Sequence, residues 1–205
     1  MLRYFLFIIF TVFCCASFAG ARTLLILGDS LSAAHGMPLE QGWVSQLQAR
    51  LVQQGYNYKL INASISGETT RGARSRLPAV LAENKIDVAI VELGGNDGLR
   101  GTALAEIENN LNDIIEQLRA KESRVLLVKM LLPPNYGKAY TEQFTEIYRR
   151  LSRRDAVFLT AFSLEELVQQ PGMMQDDGIH PTAAAQRRML NSVWDDLRPL
   201  LERGE

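Results

Sequence analysis

Cysteine is nearly absent from this chain. Its 205 residues include two, Cys14 and Cys15, side by side in an N-terminal apolar stretch. Without that stretch no thiol remains, so the fold is expected to need no disulfide and to use no thiol chemistry. Histidine is equally scarce, with only His35 and His180. Zinc sites usually take three or more protein ligands drawn largely from His and Cys. Asp176, Asp177 and His180 make too small a set, and no metal is expected. A basic excess is also missing, since the formal net charge is −1. Nucleic-acid binding needs a clustered basic surface, and that partner is therefore excluded. The one basic cluster, Arg149, Arg150, Arg153 and Arg154, falls late in a helical stretch, where cations suit the helix dipole. The longest apolar run, residues 4–16, falls short of the roughly 20 residues needed to span a bilayer.

The N-terminus instead has the form of a secretory signal. Arg3 precedes the apolar run, and the small residues Ala19 and Ala21 stand three and one positions before a cut after Ala21. Residues 1–21 are expected to be a signal peptide and 22–205 a single domain, periplasmic or secreted, monomeric, with no stable membrane insertion once the signal is removed. At 47% hydrophobic and 22% charged, that domain can bury a sizeable core.

After the signal, apolar strand patterns alternate with amphipathic helical ones. Strands are expected at 23–27, 58–62, 87–93, 125–130 and 156–159. Helices are expected at 42–54, 70–84 (irregular because of Gly72 and Pro78), 104–121, 141–154 and 181–201. The clearest helix carries Ile107, Leu111, Ile114, Ile115 and Leu118 at helical spacing. Such alternation implies right-handed βαβ units, and near-continuous apolar strands imply a parallel sheet buried on both faces. The expected fold is a three-layer α/β/α sandwich on a five-stranded parallel sheet with flavodoxin-like order. Ligands bind beyond the carboxyl ends of such strands. The segments leaving those ends are small, polar and glycine-rich: Gly28-Asp29-Ser30, Ala63 to Gly67, Gly94 to Gly98, and Leu131 to Tyr136.

A serine nucleophile needs a base, and a histidine base works best when a carboxylate fixes its tautomer. Asp177 and His180 lie three apart in "DDGIHP", a spacing that lets the carboxylate reach the ring nitrogen turned away from the nucleophile. Ser30, just past the first strand, is the natural nucleophile. It does not sit in a G-x-S-x-G elbow, because Ser32 occupies the last position. The developing oxyanion can draw on the backbone N–H of Ser30, on Gly67, where the missing Cβ allows close approach, and on the Asn96 amide. Each of these has an alternative reading when taken alone. Ser30 suits a helix N-cap, and Gly67, Asn96 and "DDGIHP" suit turns. His35 is read as an exposed loop residue. Leu99, Leu131, Leu132, Pro133, Pro134 and Tyr136 form an apolar rim suited to a lipid-like substrate.

Taken together, Gly28-Asp29-Ser30-Leu31, Gly67 in "NASISGET", Gly94-Gly95-Asn96-Asp97 and Asp177-Gly178-Ile179-His180-Pro181 resemble, in order, the four blocks of the SGNH, or GDSL, hydrolases. "TLLILGDSLSA", "GGNDGLRG" and "LLPPNYG" resemble a narrower group, the periplasmic bacterial enzymes with thioesterase, lysophospholipase and arylesterase activity. The resemblance implies hydrolysis of small acyl esters, thioesters or lysophospholipids without a cofactor. It assigns Ser30 as nucleophile, His180 as base and Asp177 as its orienter. Ser30, Gly67 and Asn96 would form the oxyanion hole. It also implies a mobile loop from Asp97 to Gly101 beside the acyl chain; Asp97 and Leu99 of that loop, with Leu132 and Pro133 of the apolar rim, are expected to contact substrate. A carbohydrate acetylesterase of the same family, or a non-catalytic binding protein on the same scaffold, would share much of this pattern.

Overall fold

In a computed structural model, which describes residues 20–160 and 164–203, the expected alternation becomes one five-stranded parallel sheet. Its strands are β1 (Arg22–Gly28), β2 (Tyr58–Asn62), β3 (Val88–Glu92), β4 (Arg124–Val128) and β5 (Val157–Thr160), in the order β2-β1-β3-β4-β5. Among the described residues the helices are α1 (Trp43–Gln53), α2 (Thr70–Glu83), α3 (Gly95–Leu99), α4 (Leu104–Arg119), α5 (Lys138–Leu151), α6 (Glu165–Val168) and α7 (Gln186–Leu197). Residues 1–19 of the expected signal peptide lie outside the described residues.

The order reverses between β1 and β3, the point at which doubly wound sheets open a crevice. Leu24 to Leu27 of β1 and all of β3 are buried, as continuous apolar strands require. Helix α1 packs with α7, and α2 and α5 pack with α4. The five apolar residues expected on one face of α4 are all fully buried. At about 1.5–3 kcal/mol for each such side chain, packing rather than intrinsic propensity holds this helix to the sheet. Arg150 forms a two-pronged pair with Glu108 at 2.9 and 2.7 Å, and Arg154 meets Glu116 at 2.6 Å. Part of the late basic cluster is thus spent on α4.

Two expectations about helices are corrected. Helix α2 runs without a break through Pro78, because Pro78 and Arg74, whose carbonyl loses its usual partner, both face solvent. The last helix starts at Gln186 rather than at 181. Pro181 is held in an antiparallel bridge with Met174, and Thr182 donates to Met173 O at 2.8 Å. That extended pairing is incompatible with a helical turn, and it fixes His180 at the sheet's rim.

Candidate active site

The strand β1 ends in a tight turn built by its own aspartate. Asp29 Oδ1 accepts the N–H of Leu31 at 3.0 Å, and Asp29 O accepts from Ser32 and Ala33 at 3.3 and 3.0 Å. This turn presents Ser30. From the opposite side, "DDGIHP" folds around Asp177. Its Oδ1 accepts the N–H groups of Ile179 and His180 at 2.9 and 3.0 Å, while Oδ2 meets His180 Nδ1 at 2.6 Å. The backbone N–H of His180, then its ring, then Ile179 hold the Asp177 carboxyl well below the usual carboxylate range. A carboxylate only accepts, so Nδ1 carries the proton. Nε2 is left as an acceptor 2.9 Å from Ser30 Oγ. Ser30, His180 and Asp177 therefore form one hydrogen-bonded chain across 150 residues of sequence.

The oxyanion candidates are tied to the same turn. Asn96, on α3, donates from Nδ2 to Asp29 Oδ2 at 2.9 Å, which leaves its second amide hydrogen for another acceptor. Gly67 lies exposed in a turn at φ +77°, a left-handed conformation that favours glycine. Its loop is pinned to the strand end by Ile65 N to Gly28 O at 3.1 Å, and its carbonyl accepts from Arg100 at 3.2 Å. Gly94 starts α3 at φ +104°. A Cβ there would collide with the Tyr148 hydroxyl, which donates to Leu93 O at 2.8 Å. The turn that delivers Asn96 thus depends on a glycine against a buried tyrosine.

The expectation that Asp97 contacts substrate is corrected. Asp97 is 2% exposed, and its two oxygens accept from Thr70 N at 2.9 Å and Thr70 Oγ1 at 2.6 Å. Its carboxylate joins α3 to the start of α2 and does not reach the rim. Leu99 and Leu132 are half-buried and Pro133 is exposed, with Leu132 lying over Gly98. Tyr136 Oη donates to Leu99 O at 2.9 Å, and Tyr140 Oη to Thr102 O at 3.0 Å. These two bonds couple the β4–α5 connection and the first turn of α5 to the end of α3 and the segment after it.

Two residues of the site escape sequence reasoning. Glu92, the last residue of β3, is 1% exposed; its Oε2 accepts from Ser32 Oγ at 2.8 Å and from Asp29 N at 3.2 Å. Burial, and then the charge of Asp29, push the Glu92 carboxyl well above the usual carboxylate range. Burial also raises Asp29, against the opposing pull of its hydrogen bonds from Leu31 and Asn96. Of the two, Glu92 is pushed further up, and among the described residues its Oε1 has no hydrogen-bond partner. A carboxylate closing an apolar strand just before Gly94-Gly95 was the available signal. Gln175 is the other. Its Nε2 donates both to His35 O at 2.9 Å and to Pro181 O at 3.0 Å, so it staples the loop after β1 to the loop that carries His180. No pattern in the sequence marks it.

A serine hydroxyl, an imidazole and a carboxylate thus stand in series at the carboxyl edge of a doubly wound sheet, close to the Asn96 amide that bonds Asp29. The chain belongs to the GDSL-like lipase/acylhydrolase family, whose model matches residues 26–188, and it is a GDSL-type hydrolase. It is 50% identical over 183 residues to Esterase TesA of Pseudomonas aeruginosa, covering 89% of this chain and 91% of that one. It is 40% identical over 197 residues to thioesterase 1/protease 1/lysophospholipase L1 of Escherichia coli K12, covering 96% and 92%. The crystal structure of a psychrotrophic esterase, EstA from Pseudoalteromonas sp., inhibited by monoethylphosphonate, superposes with a TM-score of 0.83 at 36% identity. That match covers 87% of this chain and 97% of that one.

Proposed function

We propose that this hydrolase cleaves small acyl esters and thioesters, lysophospholipids among them, through an acyl-enzyme on Ser30. Supporting this reading is the chain of contacts from Ser30 Oγ to His180 Nε2 at 2.9 Å and from His180 Nδ1 to Asp177 at 2.6 Å. His180 takes the Ser30 proton as Oγ attacks the acyl carbonyl. The N–H groups of Ser30 and Gly67 and the Asn96 amide hold the tetrahedral oxyanion. His180 then gives the proton to the departing alkoxide or thiolate. Water, deprotonated by the same imidazole, attacks the acyl-enzyme and frees the acid and Ser30. Asp177 keeps Nδ1 protonated and stabilises the imidazolium in each half. Leu99, Leu132 and Pro133 offer an apolar surface to the acyl chain.

We also propose export of a monomer to the periplasm or beyond, on the strength of the apolar stretch at 4–16 and the small residues Ala19 and Ala21. No described helix is long and apolar enough to cross a membrane.

The test is a fluorophosphonate probe read by mass spectrometry, alongside a panel of acyl-CoA, lysophospholipid, aryl ester and acetylated sugar substrates. Label is expected on Ser30 alone and none on Ser30→Ala, which should be inactive though folded. An active Ser30→Ala, or label elsewhere, would refute the mechanism. A preference for acetylated sugars would refute the substrate class.

A further inference from the structure

Three side chains able to ligate a metal meet at the rim, and one has no part in the chemistry above. His35, Asp177 and His180 each offer a donor atom, and those atoms lie within 4.8 Å of one another. The exposed His35 ring lies against that of His180, with centroids 4.2 Å apart and planes inclined by 35°. The His35 ring is held loosely, by a 3.4 Å contact between Nδ1 and Ser66 Oγ. Its backbone is held firmly: its carbonyl accepts from Gln175 at 2.9 Å and its N–H donates to Ser30 O at 3.2 Å. Two imidazoles are thus carried on segments stapled together, and one of the rings is free to turn.

We propose that a divalent transition ion, Zn²⁺ or Cu²⁺, binds His35, His180 and Asp177 reversibly and arrests hydrolysis by occupying the imidazole that Ser30 requires. Zinc takes imidazole nitrogen and carboxylate oxygen at about 2.0–2.2 Å, so donors around one tetrahedral ion stand roughly 3.3–3.6 Å apart. Rotation of the His35 ring closes the remaining gap of about 1 Å. Two imidazoles and one carboxylate suit zinc or copper, whereas magnesium and calcium prefer oxygen donors. Whichever His180 nitrogen coordinates, it gives up its bond to Ser30 or to Asp177, and the base is lost. Inhibition rests on the reading of His180 as the base; binding does not.

His35→Phe keeps a ring against His180 and removes only the donor, and His35→Ala serves as a second variant. The half-inhibitory ZnCl₂ concentration is measured with 4-nitrophenyl butyrate in a non-chelating buffer, each protein normalised to its own uninhibited rate. Zinc binding is measured by isothermal titration calorimetry on the same proteins. The wild type should bind one ion and regain activity with EDTA, and both variants should need at least ten-fold more zinc for both effects. Equal half-inhibitory concentrations and equal binding in all three proteins would overturn the site. Binding that His35→Phe weakens ten-fold, with hydrolysis untouched by bound zinc, would support the site and count against His180 as the base.

Discussion

Glu92→Gln should make the protein more stable at neutral and alkaline pH than the wild type, and the difference should shrink on acidification. The native Glu92 carboxyl is pushed up by burial and by the Asp29 charge, while the unfolded chain returns it to about 4.3. Below that pH both states hold the proton and nothing is lost. Above it the unfolded state releases its proton and the native state does not, so native stability falls as pH rises. The slope is about 1.4 kcal/mol per pH unit until the native pKa is reached, where it levels off. Glutamine has no such term. Its carbonyl can replace Oε2 as acceptor for Ser32 Oγ and Asp29 N, and its amide can occupy the place of the unpartnered Oε1. Any contribution from Asp29 is common to both proteins to first approximation, so the difference isolates Glu92. The assay is urea unfolding followed by circular dichroism at pH 5, 6, 7 and 8 for both proteins. The free-energy gap should widen with pH. Parallel curves would mean that Glu92 is charged in the native state, and the account of the Asp29–Glu92 pair would be wrong.

Two further outcomes follow from the same turn. Asn96→Ala should lower kcat by about 10²–10³, as for one lost oxyanion donor, with KM little changed; an unaltered kcat in steady-state ester hydrolysis would leave Asn96 as a mere partner of Asp29. Tyr148→Phe removes the 2.8 Å bond to Leu93 O in a fully buried setting. It should cost about 1–3 kcal/mol in denaturant unfolding, and a loss below about 0.5 kcal/mol would show that the carbonyl finds another donor.

The architecture was legible because burial and periodicity agree. The α4 stripe and the unbroken apolar runs of β1 and β3 point to the same layered sheet that the hydrogen-bond pairing displays. The meeting of Ser30, His180 and Asp177 was legible because their segments leave or approach one edge of the sheet. What escaped was decided by tertiary context. The glycines of 94–98 read as loop, yet Asp97 anchors them to Thr70 and a short helix forms. Residues 181 and 182 lie in a stretch of helical composition, yet pairing of Pro181 with Met174 claims their backbone first, and helical turns begin only at Ala183. The upward push on Glu92 comes from burial and from Asp29, 63 residues away in sequence, which no local pattern encodes.

The two phenolic bonds from Tyr136 to Leu99 and from Tyr140 to Thr102 tie two neighbouring stretches of backbone to each other at two points. Drawing those stretches apart would break both bonds, each with a net value of roughly 1 kcal/mol. Together they set a cost of about 2 kcal/mol on widening this part of the edge.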